Sequence, residues 1–390
     1  MQLHEFQAKD ILRRYQIDVP LGRIALTPDE AAAAARQINS ESLFVKAQIL
    51  AGDRAAAGGV RAVRAASGAR AAASELLGRK LVTSQTGPGG YTVKRVLVEA
   101  AIDAAQELYL ALRVDLSSGS VAAIAGPHRR SGVERHLATG APDFQTLTLG
   151  VDGERRDGDI ADFCGRIGLV GDAADKFRAL LGRLHRAFVE VDAALIEINP
   201  LILTKSGELV AADVKLAIDD NAVFRHPDIA QLRNDEDVDQ VQLQAQRHQI
   251  NYVLMDGDVG IVVNGAGLGL ATLDMVRAAG GSPANFMDIR TTAKSLDIAH
   301  GIGMILDNPR AKVLLVNVYG GGMQSCDTIV DGLGIAFRRS GRVMPVVLRI
   351  TGNSENFARM RLANFNLPKT ECADMWQAAT RATAIAQGRA

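Results

Sequence analysis

One arrangement recurs three times in the second half of the chain: a short apolar strand, a glycine-rich or polar loop, and then a helix. The strand and loop segments are 260–263 with 264–269, 312–318 with 319–325, and 344–350 with 351–356. Continuous apolar strands that alternate with helices are typical of parallel sheets covered by helices on both faces. The sequence therefore predicts a doubly wound parallel sheet after Asn251.

The three loops are expected at one edge of that sheet, because each follows the carboxyl end of a parallel strand. Open α/β folds bind ligands at this edge, where helix amino termini offer N–H groups to anions. A single glycine loop such as 264–269 is weak evidence, since many such turns use glycine only for tightness. The chain lacks a G-x-G-x-x-G segment followed by a ribose-binding acid. We expect an anion-binding edge rather than a nicotinamide site.

A second feature, at residues 196–215, is a predicted β-hairpin with the sequence I-E-I-N-P-L-I-L-T-K-S-G-E-L-V-A-A-D-V-K. Alternate residues of a strand share a face, so Glu197 and Asn199 point to one side and strand pairing can bring Asp213 beside them. Such oxygen ligands suit Mg²⁺, which fills the rest of its octahedron with water and nucleotide phosphates. The hairpin predicts either a magnesium–ATP site or a half-buried hairpin with solvated polar ends.

The first half of the chain mixes Ala-rich helical stretches with β-rich runs, which favours an α+β domain. The helical stretches include 28–37 and 172–191, and the β-rich runs are 42–49, 94–100, 108–114 and 120–124. From residue 224 to residue 247 the composition becomes polar and acidic, as is typical of domain boundaries. We therefore predict one domain over residues 1–235 and another over residues 245–390.

Four features of the first half favour a nucleotide site when they are taken together. Lys46 lies near the end of an apolar strand and is followed by the glycine-rich loop 51–59, which contains an arginine. Cations beside flexible backbone can hold a polyphosphate through charge-assisted hydrogen bonds. Glu99 and Glu107 lie at strand ends, where a carboxylate can accept from an adenine amine or ribose hydroxyls. Each feature alone is more typical of a solvated surface.

The composition narrows the range of partners and compartments. The 44 basic and 44 acidic residues balance, and no segment combines Lys and Arg with aromatic residues, so we expect no nucleic-acid partner. The cysteines Cys164, Cys326 and Cys372 are scattered, which favours a reduced protein over a disulfide or zinc scaffold. The charged start and the lack of a run of about 20 apolar residues predict a cytoplasmic protein with no membrane segment.

Seven longer segments, spread over nearly the whole chain, carry a specific family resemblance. They are L-H-E-F-Q-A-K at 3–9, L-V-T-S-Q-T-G at 81–87, L-V-E-A-A-I-D-A-A-Q-E-L-Y-L at 97–110, I-E-I-N-P-L at 196–201, D-D-N-A-V-F-R-H-P-D at 219–228, N-Y-V-L-M-D-G-D-V-G-I-V-V-N-G-A-G-L at 251–268, and P-A-N-F-M-D at 283–288. In these segments the chain resembles the β subunit of succinyl-CoA synthetase, an ADP-forming acid:CoA ligase of the tricarboxylic acid cycle. The resemblance implies an ATP-grasp domain followed by a flavodoxin-like CoA-ligase domain.

The resemblance also implies the roles of individual residues. The implied nucleotide contacts are Lys46, Asp53, Arg54, Ala55, Glu99, Ile102 and Glu107. Asn199 and Asp213 would hold Mg²⁺, and Glu197 would lie beside the histidine that carries the phosphoryl group. The implied cofactors are ATP or GTP, Mg²⁺ and CoA.

The acid substrate is expected in the second domain, near Asn264 and the loop Gly320, Gly321 and Gly322. Its carboxylate would meet backbone N–H groups and a helix amino terminus there. ATP would phosphorylate the acid directly or through phosphohistidine, before the CoA thiol displaces phosphate.

In the family the phosphorylated histidine belongs to a separate α subunit, which also binds most of CoA. None of the seven histidines of this chain lies in a loop like the family's G-H-A-G. His300 falls on the helix face opposite Ile298, Ile302 and Ile305, so we expect it to be solvated. The resemblance therefore implies a partner α subunit, in a heterodimer or a heterotetramer.

Two loops depart from the family pattern near the expected nucleotide. Asp53 replaces a glycine of G-R-G-K-A-G-G, and the loop lysine is missing. A negative charge there weakens nucleotide binding unless the side chain turns away. In place of the family's E-G-G the chain has G-P-H-R-R-S-G, where His128, Arg129 and Arg130 either restore positive charge or form a solvated loop.

The largest departure is I-R-T-T-A at 289–293, where the family has a run of glycines. Arg290 adds a planar donor fork suited to carboxylate, phosphate or sulfonate. With Thr291 and Thr292 it would select another small acid, malate-like or sulfonated such as sulfoacetate, unless the loop has simply drifted.

Two further hypotheses belong to other functional classes. One is a non-catalytic scaffold homologue, against which the presence of Lys46, Glu197, Asn199 and Asp213 argues. The other is a standalone carboxylate–amine ligase, which leaves the loops of the second domain unexplained.

Overall fold

The computed structural model describes residues 1–86, 90–128, 143–150, 157–233, 240–321 and 323–389. The chain divides into two compact units, Met1–Asp237 and Val238–Ala390. Residues 234–239, at the predicted domain boundary, lie outside the described residues, so the predicted domain bounds stay a prediction. Among the described residues, no helix combines the length and the apolar character that crossing a bilayer requires.

The first unit contains twelve strands and six α-helices in its described part. The strands are β1 Gly22–Ala25, β2 Ser42–Ala47, β3 Val60–Arg64, β4 Lys80–Leu81, β5 Tyr91–Thr92, β6 Val96–Ala100, β7 Ala104–Asp115, β8 Ser120–Pro127, β9 Gln145–Leu149, β10 Ala193–Thr204, β11 Leu209–Ala211 and β12 Val214–Ile218. The helices are α1 Glu5–Arg14, α2 Pro28–Ile38, α3 Ala65–Leu76, α4 Asp157–Arg166, α5 Asp172–Glu190 and α6 Pro227–Ala230, with a 3₁₀ helix at Val223–Arg225.

Two larger antiparallel sheets organise this unit, which confirms the predicted α+β fold. The smaller sheet has the strand order β1-β6-β2-β3 and packs against α2 and α3. Both helices are rich in alanine, so their backbones approach the sheet closely: Ala31, Ala35, Ala69 and Ala73 are buried in this core. Helix α2 begins where Thr27 accepts a hydrogen bond from the Glu30 N–H, a typical N-cap.

The larger sheet has the order β11-β10-β7-β8-β9, and β12 also pairs with β10. Its core is formed with apolar residues of α1, α4 and α5, among them Ile11, Phe163 and Leu184. Strand β10 therefore carries two partners in succession, β12 along its first half and β11 along its second. Ala212 and Asp213 lie in the gap between these two partners, at the centre of β10.

The described part of the second unit contains six strands and six helices. The strands are β13 Ile250–Leu254, β14 Val259–Val263, β15 Asn285–Ile289, β16 Val313–Gly320, β17 Val346–Gly352 and β18 Lys369–Glu371. The helices are α7 Gln240–Arg247, α8 Ala266–Ala278, α9 Ser295–Leu306, α10 Cys326–Ser340, α11 Glu355–Ala363 and α12 Met375–Ala386.

The sheet of this unit has the order β13-β15-β14-β16-β17-β18. Strands β14 to β18 are mutually parallel, and without β13 they follow the flavodoxin-like order 2-1-3-4-5. Helices α8 and α12 share a core on one face, while α9, α10 and α11 pack on the other. The predicted doubly wound sheet is confirmed. It has one addition, since β13 pairs antiparallel with β15 at the edge, as is common in such sheets.

Close packing of α9 against α10 gives a test of the fold. A Cβ added at Gly332 of α10 would lie 2.7 Å from Ile298 Cγ2 and 3.0 Å from the Ser295 carbonyl oxygen, whereas one added at Gly303 of α9 meets open space. Alanine in a helix is favoured over glycine by about 0.5–1 kcal/mol, but overpacking costs about 1–3 kcal/mol. We predict that Gly332→Ala destabilises the protein and that Gly303→Ala stabilises it, measured by chemical denaturation. Equal effects of the two substitutions would contradict the close packing.

Candidate functional site

One cavity of the first unit collects every nucleotide and metal residue predicted from the sequence. Its volume is about 710 Å³. The predicted residues that line it are Lys46, Asp53, Arg54, Ala55, Glu99, Ile102, Glu107, Glu197, Asn199 and Asp213. They come from both larger sheets of the unit and from the loop after β2, so the fold gathers residues that are far apart in the sequence.

The hairpin places its oxygen ligands next to one another. Glu197 lies opposite Lys215 in the pairing of β10 with β12. The Asn199 N–H donates to the Asp213 carbonyl oxygen at 3.0 Å. Asp213 falls in the gap between β11 and β12, where its side chain is free of strand pairing and is about one-third exposed. This arrangement presents two carboxylates and one amide to the cavity.

These donors fit a hard divalent cation that brings its own phosphate ligands. Among the described residues, no group of three or more His, Cys, Asp or Glu side chains is placed to hold a metal ion. Mg²⁺ needs only one or two protein carboxylates when phosphates and waters complete its shell. Asn199 and Asp213 suit that role, with Glu197 beside them.

Five buried charged residues of this region form what we call the ion cluster: Glu5, Lys9, Lys46, Arg54 and Glu99. The Lys9 ammonium lies 2.7 Å from Glu5 and 2.6 Å from Glu99. The Lys46 ammonium lies 2.9 Å from Glu5 and also contacts Glu99. Arg54 pairs with Glu5 at 2.7 Å, and its guanidinium continues outward to the Asp213 carboxylate at 2.8 Å.

With Asp213 included, three cations face three carboxylates. Burial by itself would raise the pKa of Glu5, but Lys46, Lys9 and Arg54 hold that pKa well below its usual range. Burial would lower the pKa of Lys46, yet Glu5 and Glu99 raise it above its usual value. Arg54 behaves in the same way, because Asp213 and Glu5 outweigh the effect of burial and raise its pKa. Lys46 and Arg54, which both line the cavity, therefore keep their charge.

The sequence predicts that the Glu99 carboxylate lies at a strand end, open to a nucleotide, but in the structure this carboxylate is buried. Its Oε2 accepts from Lys9 and its Oε1 contacts Lys46, and the residue is 1% exposed. The carboxylate is thus engaged with two ammonium groups on the wall of the cavity. Glu107 remains about half exposed and is open to a ligand.

The loop after β2 accommodates Asp53 by a specific turn. Asp53 has φ +58°, a left-handed conformation that explains a glycine at this place in the family. Its carboxylate accepts a hydrogen bond from the Ser84 hydroxyl. The neighbouring Gly52 N–H donates to Gln85 Oε1 at 2.8 Å. The negative charge is therefore directed to the segment around Ser84, and the loop is tied to that segment at two points.

His128 contacts two residues of the cavity wall. Its Nδ1 lies 2.7 Å from Asn199 Oδ1, and its Nε2 lies 3.6 Å from the Glu107 carboxylate. Arg129 and Arg130, which the sequence places beside it, lie outside the described residues. The imidazole therefore joins the predicted metal ligand to a predicted nucleotide contact.

Sequence reasoning missed Glu5 and Lys9 as parts of the site. Both lie in the L-H-E-F-Q-A-K segment, four residues apart on α1. An oppositely charged pair at this spacing faces one side of a helix. The spacing of the pair is therefore visible in the sequence. Oppositely charged pairs at this spacing usually lie on the protein surface, and only the fold shows that this pair is buried.

In the second unit, the residues predicted for the acid substrate link the loops 264–269, 319–325 and 351–356 by hydrogen bonds. The side-chain amide of Asn264 donates to the Tyr319 carbonyl oxygen at 2.7 Å and accepts from the Tyr319 N–H at 2.9 Å. Gly320 accepts from the Asn353 N–H at 2.9 Å, and Gly321 faces open space. Gly322 lies outside the described residues.

Arg290 belongs to a chain of hydrogen bonds that ends at the start of α8. Its Nε and Nη2 donate to Asn251 Oδ1 at 3.2 and 3.1 Å. Asn251 donates to one Asp288 oxygen at 3.0 Å, and the Gly265 N–H donates to the other at 2.6 Å. A carboxylate of the protein therefore already meets a backbone N–H of the 264–269 loop.

His300 is not solvated, and that prediction was wrong. Its ring stacks on His248 at 3.8 Å between centroids, and the residue is half-buried. Burial, with the nearby His248 and Arg339, lowers its pKa. The helix periodicity identified the apolar face of α9 correctly, but it could not show that His248, just after α7, covers His300.

The ion cluster predicts an unequal response to two substitutions. Glu5→Gln leaves three cations facing two carboxylates in a buried site, so we expect a loss of about 3–5 kcal/mol in the free energy of unfolding. Glu208→Gln, which removes an exposed partner of Lys176, serves as the control and should have little effect. Chemical denaturation of the whole chain measures both. Similar effects of the two changes would contradict the cluster's role.

A second test compares the pH dependence of stability in the native protein and in Glu5→Gln. Because the pKa of Glu5 is lowered in the folded state, its contribution to stability is complete above the ordinary carboxyl pKa and is lost as pH falls through the folded value. The difference in unfolding free energy between the native protein and Glu5→Gln should be constant near neutral pH and shrink below about pH 4. A difference that grows on acidification would contradict this assignment.

Comparisons with known proteins agree with the geometry. Residues 2–203 match the family described as ATP-grasp domain, and residues 262–384 match the family described as CoA-ligase. In fold, the chain is similar to ATP citrate lyase from Methanothrix soehngenii, solved with citrate and coenzyme A. That match has a TM-score of 0.73 and 16% identity and covers 100% of both chains.

Among curated proteins, the chain is 38% identical over 389 residues to the succinate–CoA ligase [ADP-forming] subunit beta of Cupriavidus taiwanensis, with 100% of both chains covered. The protein of the same name from Anaeromyxobacter dehalogenans is also 38% identical, with 99% of this chain and 100% of the relative covered. The chain therefore belongs to the family of β subunits of ADP-forming succinate–CoA ligases.

Proposed function

We propose that this chain is the β subunit of an ADP-forming carboxylic acid:CoA ligase that binds ATP or GTP with Mg²⁺ and the acid substrate. The observation that carries the proposal is the cavity in which Lys46 and Arg54 keep their charge beside Asn199 and Asp213. Cations for a polyphosphate and oxygen donors for its metal ion thus line one space. The relatives named as succinate–CoA ligases support succinate as the acid.

The catalytic histidine comes from a partner in this proposal. None of the seven histidines of the sequence lies in a glycine-rich phosphohistidine loop, and His300 is stacked and half-buried. We assign the phosphohistidine and most of the CoA site to an α subunit, in a heterodimer or heterotetramer. The three cysteines are free thiols, which supports work in a reducing compartment such as the cytoplasm.

In phosphoryl transfer, this chain mainly positions the reactants and stabilises their charge. Lys46 and Arg54 contact the phosphates as fixed positive charges, while Glu107 orients the nucleoside by accepting hydrogen bonds. Asn199 and Asp213 would hold Mg²⁺, and the bound ion would neutralise negative charge on the phosphates. Glu197 receives the partner's histidine and holds its ring by accepting a hydrogen bond.

The Asp213 carboxylate would have different partners in the cavity without ligand and in the cavity with bound nucleotide and metal. Its carboxylate pairs with Arg54 in the structure, and the proposed metal needs the same group. A bound nucleotide supplies phosphate oxygens for Arg54, so the arginine gains a partner when it shares Asp213 with a cation. We infer that nucleotide and metal bind together, each favouring the other.

A substitution at Asp213 tests the metal assignment. In the assembled enzyme with ATP, CoA and succinate, Asp213→Asn should lower the rate of ADP formation roughly 100-fold, because electrostatic stabilisation of the transferred group is lost. Asp103→Asn, at a 90% exposed side chain that does not line the cavity, is the control. A steady-state coupled assay measures both. Full activity of Asp213→Asn would refute the assignment.

The identity of the acid substrate is tested with a panel of small acids at equal concentration. We expect succinate to give the highest kcat/KM for ADP formation, above malate and sulfoacetate. Arg290→Gly should change the ranking of acids if the hydrogen-bond chain from Arg290 to Gly265 reaches the substrate. A sulfonated acid that is used better than succinate would show the substrate class to be different. Failure of the enzyme to bind nucleotide at all would favour a scaffold.

A further inference from the structure

The loop 289–293 is held by the segment that follows α7. We call it the acid loop, since Arg290 within it is proposed to affect the choice of acid. The Arg290 N–H donates to the Gln249 carbonyl oxygen at 3.3 Å, and the Thr292 hydroxyl donates to Gln249 Oε1 at 3.4 Å. Gln249 has φ +56°, a left-handed conformation that persists only where the surrounding structure supports it. The acid loop therefore rests on a turn that needs support from its neighbours.

His248, the residue before this turn, links it to the start of α9. Its Nδ1 lies 3.3 Å from Asp297 Oδ1. Because a carboxylate only accepts hydrogen bonds, Nδ1 carries a proton in this contact. The other Asp297 oxygen accepts from the Lys294 N–H at 3.0 Å, one residue after the acid loop. His248 therefore contacts the carboxylate that fixes the other end of the acid loop.

A second imidazole supports the His248 ring. The rings of His248 and His300 stack at 3.8 Å between centroids, with their planes 23° apart. Among the described residues, the buried Nε2 of His300 has no hydrogen-bond partner. A protonated His300 would bury a charged N–H without an acceptor and place its charge against His248. The stack therefore suits the neutral form of His300.

Charged groups on the surrounding elements act on His300 in both directions. Burial, His248 and Arg339 of α10 lower its pKa. Asp297 and Asp307, at the two ends of α9, act in the opposite direction, and the pKa of His300 still lies below the ordinary value of 6.5. An unstacked ring therefore takes up a proton more readily than the stacked one. The stack is stable above about pH 6.5 and is lost progressively as pH falls below that value.

We propose that the stacked pair of His248 and His300 positions the acid loop, and that acidification opens the stack and weakens binding of the acid. The inference rests on the proposed function, which gives the loop a role in acid selection. Both histidines are positioning residues, since they act on the loop through Gln249 and Asp297. When the stack opens, the turn at Gln249 loses support and Arg290 loses its fixed place.

The KM for succinate of the assembled enzyme tests the proposal, measured with saturating ATP and CoA between about pH 5.5 and about pH 7.5. In the native protein this KM should rise on acidification by up to about tenfold, the change that one pKa unit represents. His300→Phe, whose ring can stack but takes up no proton, should remove this rise. The KM for ATP should not differ between the two proteins at any pH.

Three further variants separate support by the ring from its charge. His300→Ala should raise the KM for succinate at every pH, because no ring supports His248, and phenylalanine at the same position should restore a low value. His248→Phe, at the ring that is 37% exposed, should also remove the pH dependence. His226→Gln, whose residue pairs with Asp192 in the first unit, is the control and should keep the native profile.

Hydrogen–deuterium exchange of the acid loop provides a readout that is independent of activity. After correction for the intrinsic rate, the loop of the native protein should exchange faster at about pH 6 than at about pH 7.5, and His300→Phe should remove the difference. Equal pH dependence in the two proteins, or a loop that loosens with no change in the KM for succinate, would overturn this inference alone. An assembled enzyme that forms no ADP with any small acid would overturn the proposed function, and exchange would then still show whether the stack positions the loop.

Discussion

The first unit depends on a buried ion cluster whose members are stable only as a set. Removing an ion from water costs several kcal/mol even after relaxation, so an isolated Lys9 or Glu99 could not lie at 1% exposure. Each lysine and glutamate of the cluster pairs with at least two other members, and Arg54 pairs with Glu5 and with Asp213 outside the cluster. The lysines of the cluster also donate to the Ala212 carbonyl oxygen, at 2.7 Å from Lys9 and 2.9 Å from Lys46. The cluster thereby fastens α1 and the smaller sheet to the gap in the hairpin of the larger sheet.

The same interactions prepare the cavity for its ligand. Because carboxylates surround them, Lys46 and Arg54 remain charged despite burial. Their side chains are held by packing and by ion pairs, so little reorganisation is needed when a polyphosphate enters. Asp213 lies at the edge of this network, where its carboxylate pairs with Arg54 and is about one-third exposed. Under the proposed function, fold stability and nucleotide binding therefore use the same charged groups.

Sequence patterns predicted the features that depend on local periodicity. The apolar strands, their glycine loops and the pairing that sets Asp213 beside Asn199 all follow from alternation and spacing. The antiparallel edge strand β13 was missed because a five-residue strand has no signal for direction. The ion cluster was missed because its members, and the Ala212 carbonyl oxygen that Lys9 contacts 203 positions away, are brought together only by the paired sheets. The His300 error had the same origin, since His248, just after α7, reaches it from a distant part of the sequence.

Under the proposed function, this chain supplies the nucleotide half of an active site whose histidine lies on a partner. The most direct measurement is transfer of ³²P from γ-labelled ATP with Mg²⁺, followed by separation of the chains. We predict an acid-labile, base-stable label on the α subunit when both chains are present, and no label on this chain. Stable label on a histidine of this chain, or no label on either chain in an enzyme that binds nucleotide, would contradict the account.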